Sequence, residues 1–291
     1  MKFFHSAAYS ADIGGHVFPV GKFGLTAALL RGSGEFVGPP VPSREELLLA
    51  HDPVWVEKVL SCRMSLEDEA LMELPFGREV SLAHQLQVSG TILACREALS
   101  GGIGLHVGGG SHHAFRDHGE GFCVLNDIAC GILKMLEEGR IKRAAVVDLD
   151  VHQGNGTAEI FKAERRVFTF SMHEAEIYPR NKRESSLDIG LERGTGDEEY
   201  MRLLRANLPR VLDFRPELVV FQAGVDCAQG DLLGGLSLTK EGLLERDKTV
   251  YKEFRDNGIA VAVTLGGGYG RDLSVTAGLH AQTLLAALPF S

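Results

Sequence analysis

Four short, largely apolar runs punctuate the chain, Ile103–Val107, Ala144–Val147, Leu218–Phe221 and Ile259–Leu265. Each is too short for a core helix and reads as a buried strand. Around them, apolar residues recur at three- and four-residue spacing, which predicts amphipathic helices. These cover Lys22–Leu30, Arg44–Ala50, Pro53–Leu60, Val80–Leu99, Leu125–Glu138, Asp197–Leu212, Lys240–Asn257 and Leu273–Leu288. The spacing is clearest in Val80, Ala83, Leu86, Val88, Ile92, Leu93, Ala98 and Leu99, and Thr239 is placed to cap the Lys240 helix. Strands alternating with helices predict a three-layer α/β/α architecture with a mainly parallel central sheet. No linker, repeat or low-complexity tract interrupts it, so residues 1–291 are expected to form a single domain.

The residues just after each strand are chemically distinctive. The four runs lead into His112-His113, Asp148-Leu-Asp150-Val-His152, Asp226 and Gly266-Gly-Gly-Tyr269. Open parallel sheets bind ligands outside the carboxyl ends of their strands, so four such clusters can converge. Carboxylates, imidazoles and a phenol in one cleft are the equipment of metal-assisted hydrolysis. Asp150 and His152 stand two apart, and in extended chain their side chains leave on the same side. With Asp226 they would hold a divalent ion and leave a coordination position open. An isolated Asp-x-His is more often a helix cap beside a loop histidine. Here the added Asp148 crowds one strand end with like charge, which is costly unless a cation sits there. His112 and His113 are candidate acid–base groups. Asp148 and Asn155 are free to orient them. Tyr269, after three glycines, has room to place its hydroxyl on a substrate carbonyl. A surface loop and a packed aromatic are the plainer readings of these last two features.

Composition narrows the class. The net charge of −9 argues against a general nucleic-acid binder and suits a cationic substrate. Five cysteines without a CxxC pair suggest reduced thiols and a cytoplasmic address. The first residues lack a signal-peptide run, and no stretch approaches the ~18 apolar residues of a membrane span.

Together these residues resemble the histone deacetylase superfamily, with its arginase-like α/β fold. Five motifs carry the likeness in order: GGGSHH ending at His113, GEGFC ending at Cys123, DLDVHQGNGT from Asp148 to Thr157, QAGVD ending at Asp226, and GGGY ending at Tyr269. The short length, Asn155, Ile177-Tyr178-Pro179 and Gly230-Asp-Leu-Leu-Gly-Gly235 look most like the class IV branch and its bacterial relatives. The resemblance implies zinc held by Asp150, His152 and Asp226, though Asp/His/Asp also suits ferrous iron. It implies His113 as general base, His112 backed by Asp148 as its partner, and Tyr269 as the group polarising the scissile carbonyl. Gly121, Phe122, Tyr178 and Leu233 match the channel that grips a lysine stem, and Lys22 matches a basic residue of the inner acyl channel. A structural potassium or sodium ion is implied at Asp148, Asp150, His152, Ser171 and Met172. Asn155 stands where class I relatives carry Asp, which weakens the pull on His113.

The expected activity is zinc-dependent hydrolysis of N-ε-acyl-lysine. Acetylpolyamines or other small acyl-amides are the runner-up substrates, and a silent acyl-lysine binding module is a third reading. A binuclear manganese hydrolase is disfavoured, because the Asp226 loop reaches its next acid only at Asp231. Small residues around the inner cavity (Gly108–Gly110 and Cys123) and the flexible stem of Lys22 raise the further expectation that long acyl chains are preferred.

Overall fold

A computed structural model describes residues 1–290. Its strands are β1 (Lys2–Phe4), β2 (Glu35–Val37), β3 (Ile103–His106), β4 (Ala144–Asp148), β5 (Val167–Glu174), β6 (Leu187–Leu191), β7 (Leu218–Gln222) and β8 (Ala260–Thr264). They form one sheet in the order β2-β1-β3-β8-β7-β4-β5-β6, and every neighbouring pair is parallel. The α/β architecture is as expected, and the sheet is parallel throughout rather than mainly so.

Parallel strands need long crossovers, so helices cover both faces and the central strands are buried on both sides. Alternate residues of one strand therefore serve two cores. Ala145 and Val147 of β4 join one apolar cluster with Val219, Phe221, Val261 and Val263. Ala144 and Val146 join the other with Leu218, Val220, Ala260 and Ala262. Two-sided burial is why β3, β4, β7 and β8 are visible in the sequence as apolar runs. Strands β1, β2, β5 and β6 are not. The first two have three residues each, β6 is a half-exposed edge, and β5 buries Thr169, Ser171, His173 and Glu174.

All eight expected helices form, with ends shifted by a few residues, and Thr239 caps its helix by accepting from Gly242 N. Two short helices, Leu66–Met72 and Asn155–Phe161, add to them. One expectation needs correction. The segment Leu273–Phe290 has the length and mean hydropathy (1.2) of a membrane span. Half of it is buried within the protein, where its helix packs on those of Gly21–Leu29 and Lys240–Asp256. A helix rich in Ala and Leu that packs in this way belongs to the protein's own core.

Candidate active site

The four strands whose ends carry the polar clusters, β3, β8, β7 and β4, are consecutive neighbours in the sheet. Their loops therefore lie side by side at one edge. Gln222, Thr264 and Asp148 share a level across the strands, and Gln222 ties two loops by donating to Gly110 O at 2.9 Å while accepting from Thr264 Oγ1 at 2.6 Å. Asp127 closes the other side, accepting from Gly110 N at 3.0 Å and Ser111 N at 2.7 Å.

Asp150, His152 and Asp226 are buried, and each offers a ligand atom within 4.8 Å of the others. His152 Nδ1 lies 3.1 Å from Asp150 Oδ1 and 3.2 Å from Asp226 Oδ2. Backbone amides fix both carboxylates: Val151 N donates to Asp226 Oδ1 at 2.9 Å and Gly267 N to Asp150 Oδ2 at 2.7 Å. Gly267 has no alternative, because a Cβ there would stand 1.9 Å from Asp226 Oδ2. Burial works against charge on His152, yet the two carboxylates push its pKa up to about 10, and burial with Asp150 pushes Asp226 up to about 7. The protein alone meets the demand for positive charge with a proton. A divalent ion meets it better, so these donors fit a metal.

The two adjacent histidines are driven apart in charge. His112 Nδ1 lies 2.8 Å from Asp148 Oδ2; burial lowers its pKa, but Asp148 and Asp150 outweigh that and hold it at about 9. His113 has Asn155 Oδ1 at 2.7 Å from its Nδ1 instead. Burial, then the neighbouring His112 and His152, hold it well below the usual range. Groups pushed apart in this way mark out acid and base roles, and the neutral His113 is the one able to accept a proton.

A channel of about 220 Å³ leads to these groups, lined by Val17, Glu73, His113, Gly121, Phe122, His152, Tyr178, Leu233 and Tyr269. Gly121 and Phe122 form a two-residue turn, both at positive φ (51° and 65°), clasped by Glu120 N to Cys123 O and Cys123 N to Glu120 O. A phenylalanine in left-handed backbone is uncommon and costs energy, and here it puts the ring on the channel wall. Gly121 is required because a Cβ would stand 2.8 Å from the Tyr178 ring. Tyr178 stands edge-on to His113 (5.0 Å) and His152 (6.2 Å). The Tyr269 ring stands 6.2 Å from His152, and its backbone N donates to Asp231 Oδ2 at 2.6 Å. Ser171 sits beside Asp148 in the register of β4 and β5, with its hydroxyl 2.9 Å from His173 Nδ1. Met172 follows it on β5, buried in the core.

Lys22 is fully buried behind the site. It donates to Gly266 O at 2.7 Å and lies about 5.2 Å from the ring centres of Phe18, Phe23 and Tyr269. Burial draws its pKa down to about 8, against the pull of Asp226, Asp150 and Asp231. The glycines expected to open an inner cavity stand against neighbouring side chains. Cβ atoms at Gly108, Gly109 and Gly110 would meet Tyr9, Asp127 and Gln222 within 2.6 Å, so neighbouring side chains already occupy that space. The remaining inner space is about 30 Å³.

Several supporting residues escape sequence reasoning. Phe18 stacks on Phe122 at 5.5 Å. Asp231 accepts from Leu233 N and Tyr269 N, joining the rim to the phenol loop. Arg246 is completely buried, pairs with Asp247, and donates from Nη1 to Leu149 O (3.2 Å) and Gly224 O (2.6 Å), one residue before Asp150 and two before Asp226. Within Glu245-Arg246-Asp247 it reads as surface charge, and no local signal separates it. Arg246→Leu should lower the unfolding free energy by about 3–5 kcal/mol, because it strands a buried Asp247. Denaturant titration measures this, and a loss below about 1 kcal/mol would remove Arg246 from the supporting frame.

Residues 23–284 match the histone deacetylase domain family. An uncharacterised protein of Picosynechococcus sp. is 38% identical over 264 residues, covering 89% of this chain and 88% of that protein. Histone deacetylase 2 of Arabidopsis thaliana is 31% identical, covering 91% of this chain and 73% of its own length. A probable deacetylase of Methanothermobacter thermautotrophicus is also 31% identical, over 83% of this chain and 78% of that protein. Among solved structures, the HDA15 HD domain superposes with a TM-score of 0.79 at 22% identity, covering 98% of this chain and 87% of that one.

Proposed function

This chain belongs to the histone deacetylase family, and from that premise we propose that it hydrolyses N-ε-acyl-lysine by metal-assisted attack of water. One observation carries the proposal. A buried Asp150–His152–Asp226 donor set reaches, through His152, a channel that Phe122, Tyr178, His113 and Tyr269 also line. Zinc, or ferrous iron, held by those three residues would supply a Lewis acid for the water and the scissile carbonyl. His113, kept neutral, takes the water's proton and returns it to the departing lysine amine. His112, charged through Asp148, sets fixed positive charge beside it. Tyr269 donates its hydroxyl to the carbonyl oxygen as negative charge gathers there. The Tyr269 proton is secure, since burial, then Asp150 and Asp226, raise its pKa well above the usual range.

Asn155 and Lys22 support placement near the class IV branch. A monovalent cation near Asp148, Ser171 and Met172 has the β4–β5 register in its favour. The exposed Glu73 at the channel mouth keeps acetylated polyamines as the second substrate class.

An inner space of about 30 Å³ favours acetyl over long chains. We expect kcat/KM on one lysine peptide to fall from acetyl through octanoyl to myristoyl, in a panel that also contains acetylated polyamines. Rising values would mean that Lys22 swings aside and opens the cavity. No turnover of any acyl-amide would leave a binding module.

A further inference from the structure

An amide is an ambiguous partner for a histidine. One end of Asn155 accepts and the other donates, and a half-turn about its last bond would exchange them. A base at His113 needs the accepting end, because only that end draws the ring proton onto Nδ1 and leaves Nε2 bare. Asn155 Oδ1 faces His113 Nδ1 at 2.7 Å, while Asn155 Nδ2 donates to Glu120 Oε1 at 3.1 Å. The same Glu120 oxygen accepts the Tyr178 hydroxyl at 2.8 Å. Its other oxygen lies 3.8 Å from His118 Nε2. An ionised carboxylate can only accept, so it admits one orientation of the amide.

We propose that Glu120 is a positioning residue for the general base: it locks the Asn155 amide with its oxygen toward His113, which fixes the proton on Nδ1 and frees Nε2 for the attacking water. Glu120 is placed for this by the turn that presents Phe122, since its own N and O clasp Cys123 across Gly121 and Phe122. The acyl-binding wall and the base are thus set by one hairpin. The arrangement also accounts for an amide at position 155. An aspartate there would set a second carboxylate about 3 Å from Glu120, where two cannot both ionise.

The catalytic consequence rests on the deacylase reading, whereas the tautomer does not, so two measurements separate them. Nitrogen-15 spectra of histidine-labelled protein, with H113A for assignment, should show His113 as the Nδ1–H form in the parent. In E120A the two tautomers should mix. A glutamine amide can donate as well as accept, so E120Q should lose the lock and mix the tautomers as E120A does. E120A should lose about tenfold in kcat, the lower end of what losing an outer supporting partner at a metal site costs. E120S serves if E120A does not fold. The double variant E120A/N155D should be faster than N155D alone, because the carboxylate repulsion is gone. An unchanged His113 tautomer in E120A overturns the proposal, as does a double variant whose losses simply multiply. If the parent turns over no acyl-amide while the spectra behave as stated, the deacylase reading fails and the positioning role stands.

Discussion

Asp226→Ala is expected to bind a divalent ion more than about 100-fold more weakly than the parent and to lose acyl-lysine hydrolysis to the background. Loss of an outer partner of a metal ligand already costs about 10–100-fold, and a donor removed outright costs more. Asp226 has two jobs, since Oδ2 faces His152 at 3.2 Å and Oδ1 accepts from Val151 N at 2.9 Å. Asp226→Asn separates them, because an amide oxygen still accepts from Val151 while the charge is gone. We expect both variants to lose the ion and only the alanine to lose appreciable thermal stability. Asp150→Ala and His152→Ala should behave like Asp226→Ala toward the ion. Metal analysis after dialysis, set beside melting curves, gives the comparison, with one ion per parent chain expected. Chelation should silence the parent and added zinc restore it. Full hydrolysis by metal-stripped protein would be fatal to the proposed chemistry.

Tyr269→Phe should lower kcat by about 100-fold or more and leave KM within a few-fold. Removing one donor to a developing oxyanion typically costs that much. The substitution is clean here, because the ring is held by contacts that phenylalanine keeps: Phe122 at 6.1 Å, Phe18 at 6.4 Å and the Lys22 ammonium at 5.2 Å from its centre. The tie from this residue to Asp231 also survives, since it runs through the Tyr269 backbone N. Steady-state kinetics on an acetyl-lysine peptide decides the matter. A raised KM with unchanged kcat would make Tyr269 a channel wall and nothing more.

How much of the fold and the site is legible in the sequence depends on range. β4 and its Asp148-x-Asp150-x-His152 ending are readable because a two-sided buried strand is an apolar run and its side chains alternate. β5 lies beside β4 and is nearly as deeply buried, but the polar side chains at Thr169, Ser171, His173 and Glu174 break that signal. Glu120 lies in plain view inside GEGFC, yet its partner Asn155 is 35 positions away and its meaning is a hydrogen bond. Arg246 shows how far charge can mislead, since a guanidinium between two acids reads as solvated until three carbonyl and carboxylate oxygens are found around it. Gly108–Gly110 mislead in the opposite direction. A residue without a side chain suggests empty space, whereas it marks where Tyr9, Asp127 and Gln222 need room.

The Gly267 contact bears on how such a site can diversify. The floor around the carboxylates is main chain, and the residue nearest them cannot acquire even a methyl group, since that atom would stand 1.9 Å from Asp226 and 2.8 Å from Asp150. Substitution has nothing to act on there. The positions free to vary are outward ones, such as the exposed Val17 and Glu73 and the half-buried Leu233 at the channel mouth. New preferences in this scaffold should therefore arise as changes in which amine is admitted, with the bond-breaking step inherited unaltered.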